Sequence, residues 1–262
     1  MGGDDILRSL SDEIAMAGSP RGRWHSEYLG YSYRAAVEAA MERNSGGSPR
    51  VLKTDLWNEC LGGNRDIVNH LLDEVGCRVV ALELAYPICA LGRRRVTGAH
   101  VVQADIRALP FRPASFDAVL DLSTLDHLSD AAVADAVGEY GRVLRGSGVV
   151  LLVFWQRCVL IRLRLVLKRL LGRHEKPGQH YFRRGDVQAA LGEGLEVVDT
   201  FVAGALLTPP HRITALLLGS VRGRALTRFL RWLVRVEHSR ALHPVLAHLA
   251  GLYGIVARRR DG

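Results

Sequence analysis

Short apolar runs alternate with amphipathic stretches along most of this chain. The runs predict strands at residues 50–54, 78–82, 100–103, 117–121, 148–154, 195–202 and 252–258. Between them, apolar positions recur at helical spacing over 66–75, 85–93 and 130–144, which predicts helices there. Ser129 stands where the third of these needs an N-cap. Ahead of the first strand, residues 24–43 read as another helix, ended by the breaker run NSGGSP. Strands alternating with helices in this way predict an α/β fold with a doubly wound, mostly parallel sheet.

The rear of the chain departs from this alternation. CVLIRLRLVLKRLL interleaves aliphatic residues with Arg162, Arg164, Lys168 and Arg169. A second basic and apolar block, HRITALLLGSVRGRALTRFLRWLVRVEHSR, separates the sixth and seventh strands. Both are expected to be helices over the carboxyl edge of the sheet, where a substrate lid belongs. The expected organisation is an N-terminal helical cap over 1–44, then a main domain over 45–262 with a helical insertion at about 205–250.

Composition narrows the class. With 48% hydrophobic and 24% charged residues in 262, the chain has the content of a folded globular protein, not a disordered one. The net charge of +8 is uneven: residues 1–156 hold 16 Lys/Arg against 20 Asp/Glu, and 157–262 hold 19 against 7. The basic rear suits a solvated or lid helix first, contact with an anionic membrane second, and RNA last. Nucleic acid is not expected, because aromatics there are sparse.

Cys60, Cys77, Cys89 and Cys158 form no C-x-x-C pair and have no metal-ligand spacing, so no metal is expected and a reducing compartment is. MGGDDILRSLSDEIAMAG is acidic and lacks the apolar core of a secretion signal. No apolar run reaches the roughly 18–20 uninterrupted residues of a membrane span; the nearest, 241–257, is broken by His243, Pro244 and His248. The expected location is the cytoplasm, with peripheral membrane contact through the basic rear left open. Nothing in the sequence sets an oligomeric state.

Two acids close consecutive predicted strands: Glu83 ends VVALE, and Asp105 lies in QADIRALPF. A carboxylate at the tip of a parallel strand points into the crevice where doubly wound folds hold the ribose of a nucleotide-like ligand. The second acid, followed by SFDAVLDLSTLDHL, suggests a site gripping both a sugar and a base. The plain alternative is that both acids are solvated loop residues.

The order of these pieces resembles the class I S-adenosylmethionine (SAM)-dependent methyltransferases, closest to those acting on quinones, lipids and natural products. VLRGSGVVLLV, YFRRGDVQAALGEGLEVVDTF and LYGIVARRR match the family's fifth, sixth and seventh strand regions. The likeness covers about 45–204 and 252–260 and implies a seven-stranded Rossmann-like sheet with SAM as cofactor. By that resemblance Glu83, with Leu84 beside it, accepts from the ribose hydroxyls. Asp105 accepts from the adenine amino group, and the backbone of Ile106 reads the ring edge. Asp121, Leu122 and Ser123 line the floor beneath the sulfonium. The aromatic group Trp24, His25, Tyr28, Tyr31 and Tyr33 suits a cap, with Tyr28 the expected cofactor contact.

The first loop departs from the family. Asp55, Trp57 and Glu59 stand where the family places glycines that let backbone approach the methionine moiety. Three readings stay open. Gly62 and Gly63 supply a displaced turn; or Asp55 and Glu59 bind the ammonium, with Lys53 or Arg65 near the carboxylate; or Lys53 and Asp55 form a local ion pair at a decayed site. For chemistry, His127 is the expected general base because imidazole titrates near neutrality, and Asp126 is the weaker candidate. His180 and Tyr181 are within conceivable reach of the pocket. The expected function is O-, N- or C-methylation of a small or lipophilic acceptor, in natural-product biosynthesis. The alternative is a protein of the same fold that performs a cyclisation or rearrangement, or serves as a non-catalytic partner.

Overall fold

The computed structural model describes residues 20–42, 47–61, 66–172, 180–204 and 224–260, with side chains from Glu27 onward and not at Leu61. In chain order the elements are α1 (Pro20–Met41), β1 (Arg50–Lys53), α2 (Trp57–Leu61), α3 (Ile67–Asp73), β2 (Arg78–Glu83), α4 (Tyr86–Arg95), β3 (His100–Gln103), β4 (Phe116–Leu122), α5 (Asp130–Val143), β5 (Leu144–Trp155), α6 (Val159–Leu170), α7 (Arg184–Ala190), β6 (Leu195–Ala203), α8 (Arg224–Glu237), α9 (His243–Leu249) and β7 (Leu252–Arg259). A 3-10 turn at Leu125–His127 joins β4 to α5.

The strands form one seven-stranded sheet in the order β3-β2-β1-β4-β5-β7-β6. β1 to β5 pair in parallel, and β7 runs antiparallel between β5 and β6. Strand order reverses between β1 and β4. That is the topological switch point, so the crevice at their carboxyl ends is where such a sheet receives a ligand.

The central strands read as continuous apolar runs because helices cover both of their faces. Successive side chains alternate between two cores: Val51 joins one with α1, α3 and α8, and Leu52 joins the other with α5 and β7. α1, expected as a cap, packs across the first face against α3, β4, β5, β6 and α8. Buried Gly92 of α4 matters to the site. A Cβ there would lie 2.7 Å from Leu56 Cδ1, so any larger residue would require the Leu56 side chain after β1 to shift.

Several predicted boundaries shift. β5 begins at Leu144, where the third predicted helix was to end. Ser129 occupies the N-cap position of α5, but its side chain makes no capping hydrogen bond. Asp66 does cap α3, accepting from Asn69 N. Of the expected insertion, α8 and α9 are helices; residues 205–223 lie outside the described residues. No described helix is long and apolar enough to cross a membrane.

Candidate active site

Four parallel strands deliver their carboxyl ends to the crevice, and the tips of β1 and β2 meet there. Glu83, the last residue of β2, accepts from Leu56 N at 3.2 Å through Oε2 and from Ala85 N at 2.9 Å through Oε1. Burial pushes its carboxyl above the ordinary range, while these amides pull it back. Each oxygen keeps a second lone pair, so the carboxylate is oriented yet retains acceptor capacity for a pair of hydroxyls. Leu84 beside it is exposed and Ile106 is buried. Asp105 follows β3 and is held by Arg107, whose Nε lies 3.0 Å from both carboxylate oxygens. That guanidinium holds the Asp105 carboxyl below its usual value, and the pair is partly open to water.

The β1 tip is built on charge. Lys53 is fully buried and donates to Asp55 O at 2.5 Å and Asp55 Oδ2 at 3.0 Å. Glu59, equally buried, lies 3.3 Å from the same ammonium as an ion pair without hydrogen-bond geometry. Burial alone would lower the Lys53 pKa, but Asp55 and Glu59 outweigh it and hold the ammonium charged. Asp55 takes the hydrogen bonds, so Glu59 keeps the weaker share of the cation and burial raises its carboxyl to about 7. The other Glu59 oxygen accepts from Ile67 N and Val68 N at the start of α3. Asp55 Oδ1 accepts from Trp57 N at 3.1 Å and so initiates α2. The strand therefore runs straight into a short helix instead of a glycine-rich turn.

This placement corrects two of the three expectations. Glu59 does not face the crevice as an ammonium ligand; its carboxylate ties α3 to Lys53. Lys53 is covered by two acids and does not present its charge to a ligand carboxylate. Asp55 keeps a partly exposed side chain, 14% accessible, and alone of the three remains open to the crevice. Gly62, Gly63 and Arg65 lie outside the described residues, as do the side chains of Trp24 and His25.

At the β4 tip, Asp121 is fully buried and accepts from Tyr140 Oη at 2.6 Å and Thr124 N at 2.8 Å. It organises the turn from beneath, where the expectation had it lining the floor. Leu122 packs into the core beside α1. Ser123 adopts φ 76°, a left-handed conformation that costs a non-glycine residue energy, and its amide donates to Val153 O. Ser123 Oγ and Asp126 Oδ2 are both buried without a hydrogen-bond partner. Asp126 Oδ1 accepts from Trp155 N at 2.8 Å, and burial raises this carboxyl to about 8. His127 is exposed at the end of the turn. Tyr28 is wholly buried, and its hydroxyl donates to Glu237 of α8. It fastens two helices together and is not open to the crevice.

Residues 60–152 match a family model described as Methyltransferase domain. A malonyl-acyl-carrier-protein O-methyltransferase of Enterobacter lignolyticus is 42% identical over 78 residues, which cover 29% of this chain and 29% of that protein. Among solved structures, a putative sarcosine dimethylglycine methyltransferase of Galdieria sulphuraria superposes with TM-score 0.57 at 15% identity, over 88% of this chain and 85% of that one. A geranyl diphosphate C-methyltransferase of Streptomyces coelicolor, in complex with S-adenosyl-L-homocysteine, gives TM-score 0.54 at 14% identity, over 86% and 80%. The 4+2 cyclase SpnF gives 0.53 at 16% identity, over 87% and 82%. These likenesses establish the fold. Residues 60–152 are similar to a methyltransferase domain, within a fold shared by these structures.

At the crevice, sequence reasoning missed Thr54 and Thr124, whose hydroxyls lie 2.8 Å apart and bridge the β1 and β4 tips, with Thr124 Oγ1 3.4 Å from Asp55 Oδ2. It also missed Tyr140, the buried donor to Asp121. The threonines stand next to strand ends in the sequence, which is a usable signal; Tyr140 had none.

Proposed function

We propose that this domain binds SAM and transfers its methyl group to a small or lipophilic acceptor. The observation that carries the reading is Glu83 at the switch-point crevice, fixed by two backbone amides with acceptor capacity to spare. Glu83 and Leu84 would hold the ribose, and Asp105 and Ile106 the adenine. Asp55, a partly open carboxylate, suits a cationic moiety at the methionine end. Bound SAM supplies an electrophilic methyl carbon. The chain's part is to hold a nucleophile in line with it, exclude water and accept a proton. His127 is the base in this reading, and Asp126 is held protonated beside it at neutral pH. The malonyl-acyl-carrier-protein and geranyl diphosphate relatives support an acceptor that is small or carries a lipophilic chain, of the kind natural-product pathways use. The protein works in the cytoplasm with peripheral membrane contact.

Calorimetric titration with SAM and with S-adenosylhomocysteine tests the cofactor. Saturable heat at micromolar ligand is expected, and none at high micromolar would sink the assignment. His127→Ala should then lower turnover by about 10²–10⁴-fold; an unchanged rate removes it from the mechanism. The charged β1 tip favours one second reading, a SAM-binding protein of this fold with a non-methylating reaction, as a partner or cyclase. Tight SAM binding without methyl transfer to any lipophilic acceptor offered would select it.

A further inference from the structure

We infer that α6 is a docking surface for an anionic lipid membrane. Residues 159–171, VLIRLRLVLKRLL, contain four cations and no acid. The helix is anchored at its start, where Cys158 Sγ accepts from Ile161 N and Ile161 is buried. A helix advances about 100° per residue, so Ile161 marks the inward side. Val159, Leu163, Val166, Leu167 and Leu170 then fall in an arc of about 100° centred opposite Ile161. Their exposure agrees, running from 55% at Leu167 to 78% at Leu170. Arg162 and Arg169 follow one edge of this arc and Arg164 lies beyond the other, while Lys168 falls toward the inward side and is half-buried. An apolar stripe aimed away from the body and flanked by cations on both sides is the arrangement of a helix lying in a bilayer interface.

α8 shows what the same residue types do when a protein partner is present. It too combines Arg with Leu and Val, but its Leu230, Leu233 and Val234 are buried against the core that includes α1. Among the described residues, the α6 stripe has no such cover. Charge complementarity decides its occupant. A second copy of α6 would set four cations against four, whereas anionic headgroups neutralise them while acyl chains receive the leucines. α6 also starts just beyond Trp155, at the sheet edge that carries the candidate site, so docking brings that edge to a lipophilic acceptor. The inference deepens the membrane contact proposed above and does not depend on methyl transfer itself.

Vesicle co-sedimentation of the whole protein tests this, using phosphatidylcholine alone and with phosphatidylglycerol added. Binding is expected only with the anionic lipid. Leu163→Asp with Leu167→Asp should weaken it at least tenfold, and Arg162→Glu with Arg169→Glu by more than about tenfold, since each cation is worth about fivefold. These side chains are exposed, so unchanged circular dichroism and Tm separate docking from folding. Calorimetry with SAM on the same variants should be unaffected, so loss of cofactor binding and loss of docking are read separately. No binding to anionic vesicles, as with an acidic protein partner, overturns the proposal. So does binding that either variant leaves intact.

Discussion

The tips of β1 and β2 are hydrogen-bonded neighbours, yet they solve the same problem in different ways. Both must satisfy backbone amides at the mouth of a crevice. At β2 one carboxylate, Glu83, accepts from Leu56 N and Ala85 N and keeps capacity for a ligand. At β1 the work is shared by a triad: Asp55 starts α2, Glu59 starts α3, and the buried Lys53 lies between their carboxylates. A glycine turn would let a ligand approach bare backbone. The triad gives that up, and the ion pairs that replace it are internal, so removing one partner strands a buried charge. The β2 tip leaves acceptor capacity open, whereas the β1 tip spends its charges on holding two helices in place.

That contrast yields a ranked set of measurements. The largest effect is expected for Lys53→Met, which leaves Asp55 and Glu59 without their cation and should cost about 3–5 kcal/mol in urea unfolding. A loss under about 1 kcal/mol would mean the triad is not structural. Asp126→Asn comes next. This carboxyl is raised from 3.8 to about 8, so the folded state binds a proton that the unfolded state releases between those values. Its contribution is present in full below the unfolded pKa and fades as pH rises through the folded one. The wild type should therefore lose stability relative to Asp126→Asn as pH rises from about 4 to about 8, with the difference levelling off above that, in paired urea melts. Parallel pH profiles would show Asp126 ionised at neutrality.

Glu83→Gln should weaken SAM binding about 10–100-fold by calorimetry, the cost of hydrogen bonds to a charged acceptor. Equal losses at Lys53→Met and Glu83→Gln in a protein that remains folded would erase the division between the two tips. The smallest effect is expected for Asp105→Asn. About tenfold in affinity by calorimetry is one charge-assisted bond, and the partly exposed Arg107 pair contributes less than about 1 kcal/mol to stability.

Much of this was legible in the chain. Each of the seven predicted strands lies within an observed one, apart from Thr54, which follows β1; strand patterns are set by local burial on both faces. Glu83 could be placed because a strand end fixes where its next side chain emerges. Glu59 could not. Whether it faces the crevice or Lys53 depends on α3 arriving beneath it, and α3 begins beyond a stretch with no regular pattern. Tyr28 makes the same point over a longer range, since its partner Glu237 is 209 residues away. Aromatic spacing shows that a tyrosine lies on a helix, not which element will cover it.

The sequence by itself determined the alternation of strands and helices, the acids at the ends of β2 and β3, and the cationic, acid-free composition of α6. Local spacing suffices for these. Tertiary structure decided that Lys53 is sealed by two carboxylates, that Asp121 works beneath the site, and that the α6 leucines face away from the body. Each of those depends on which distant surface arrives to remove water from a side chain, and packing alone settles that.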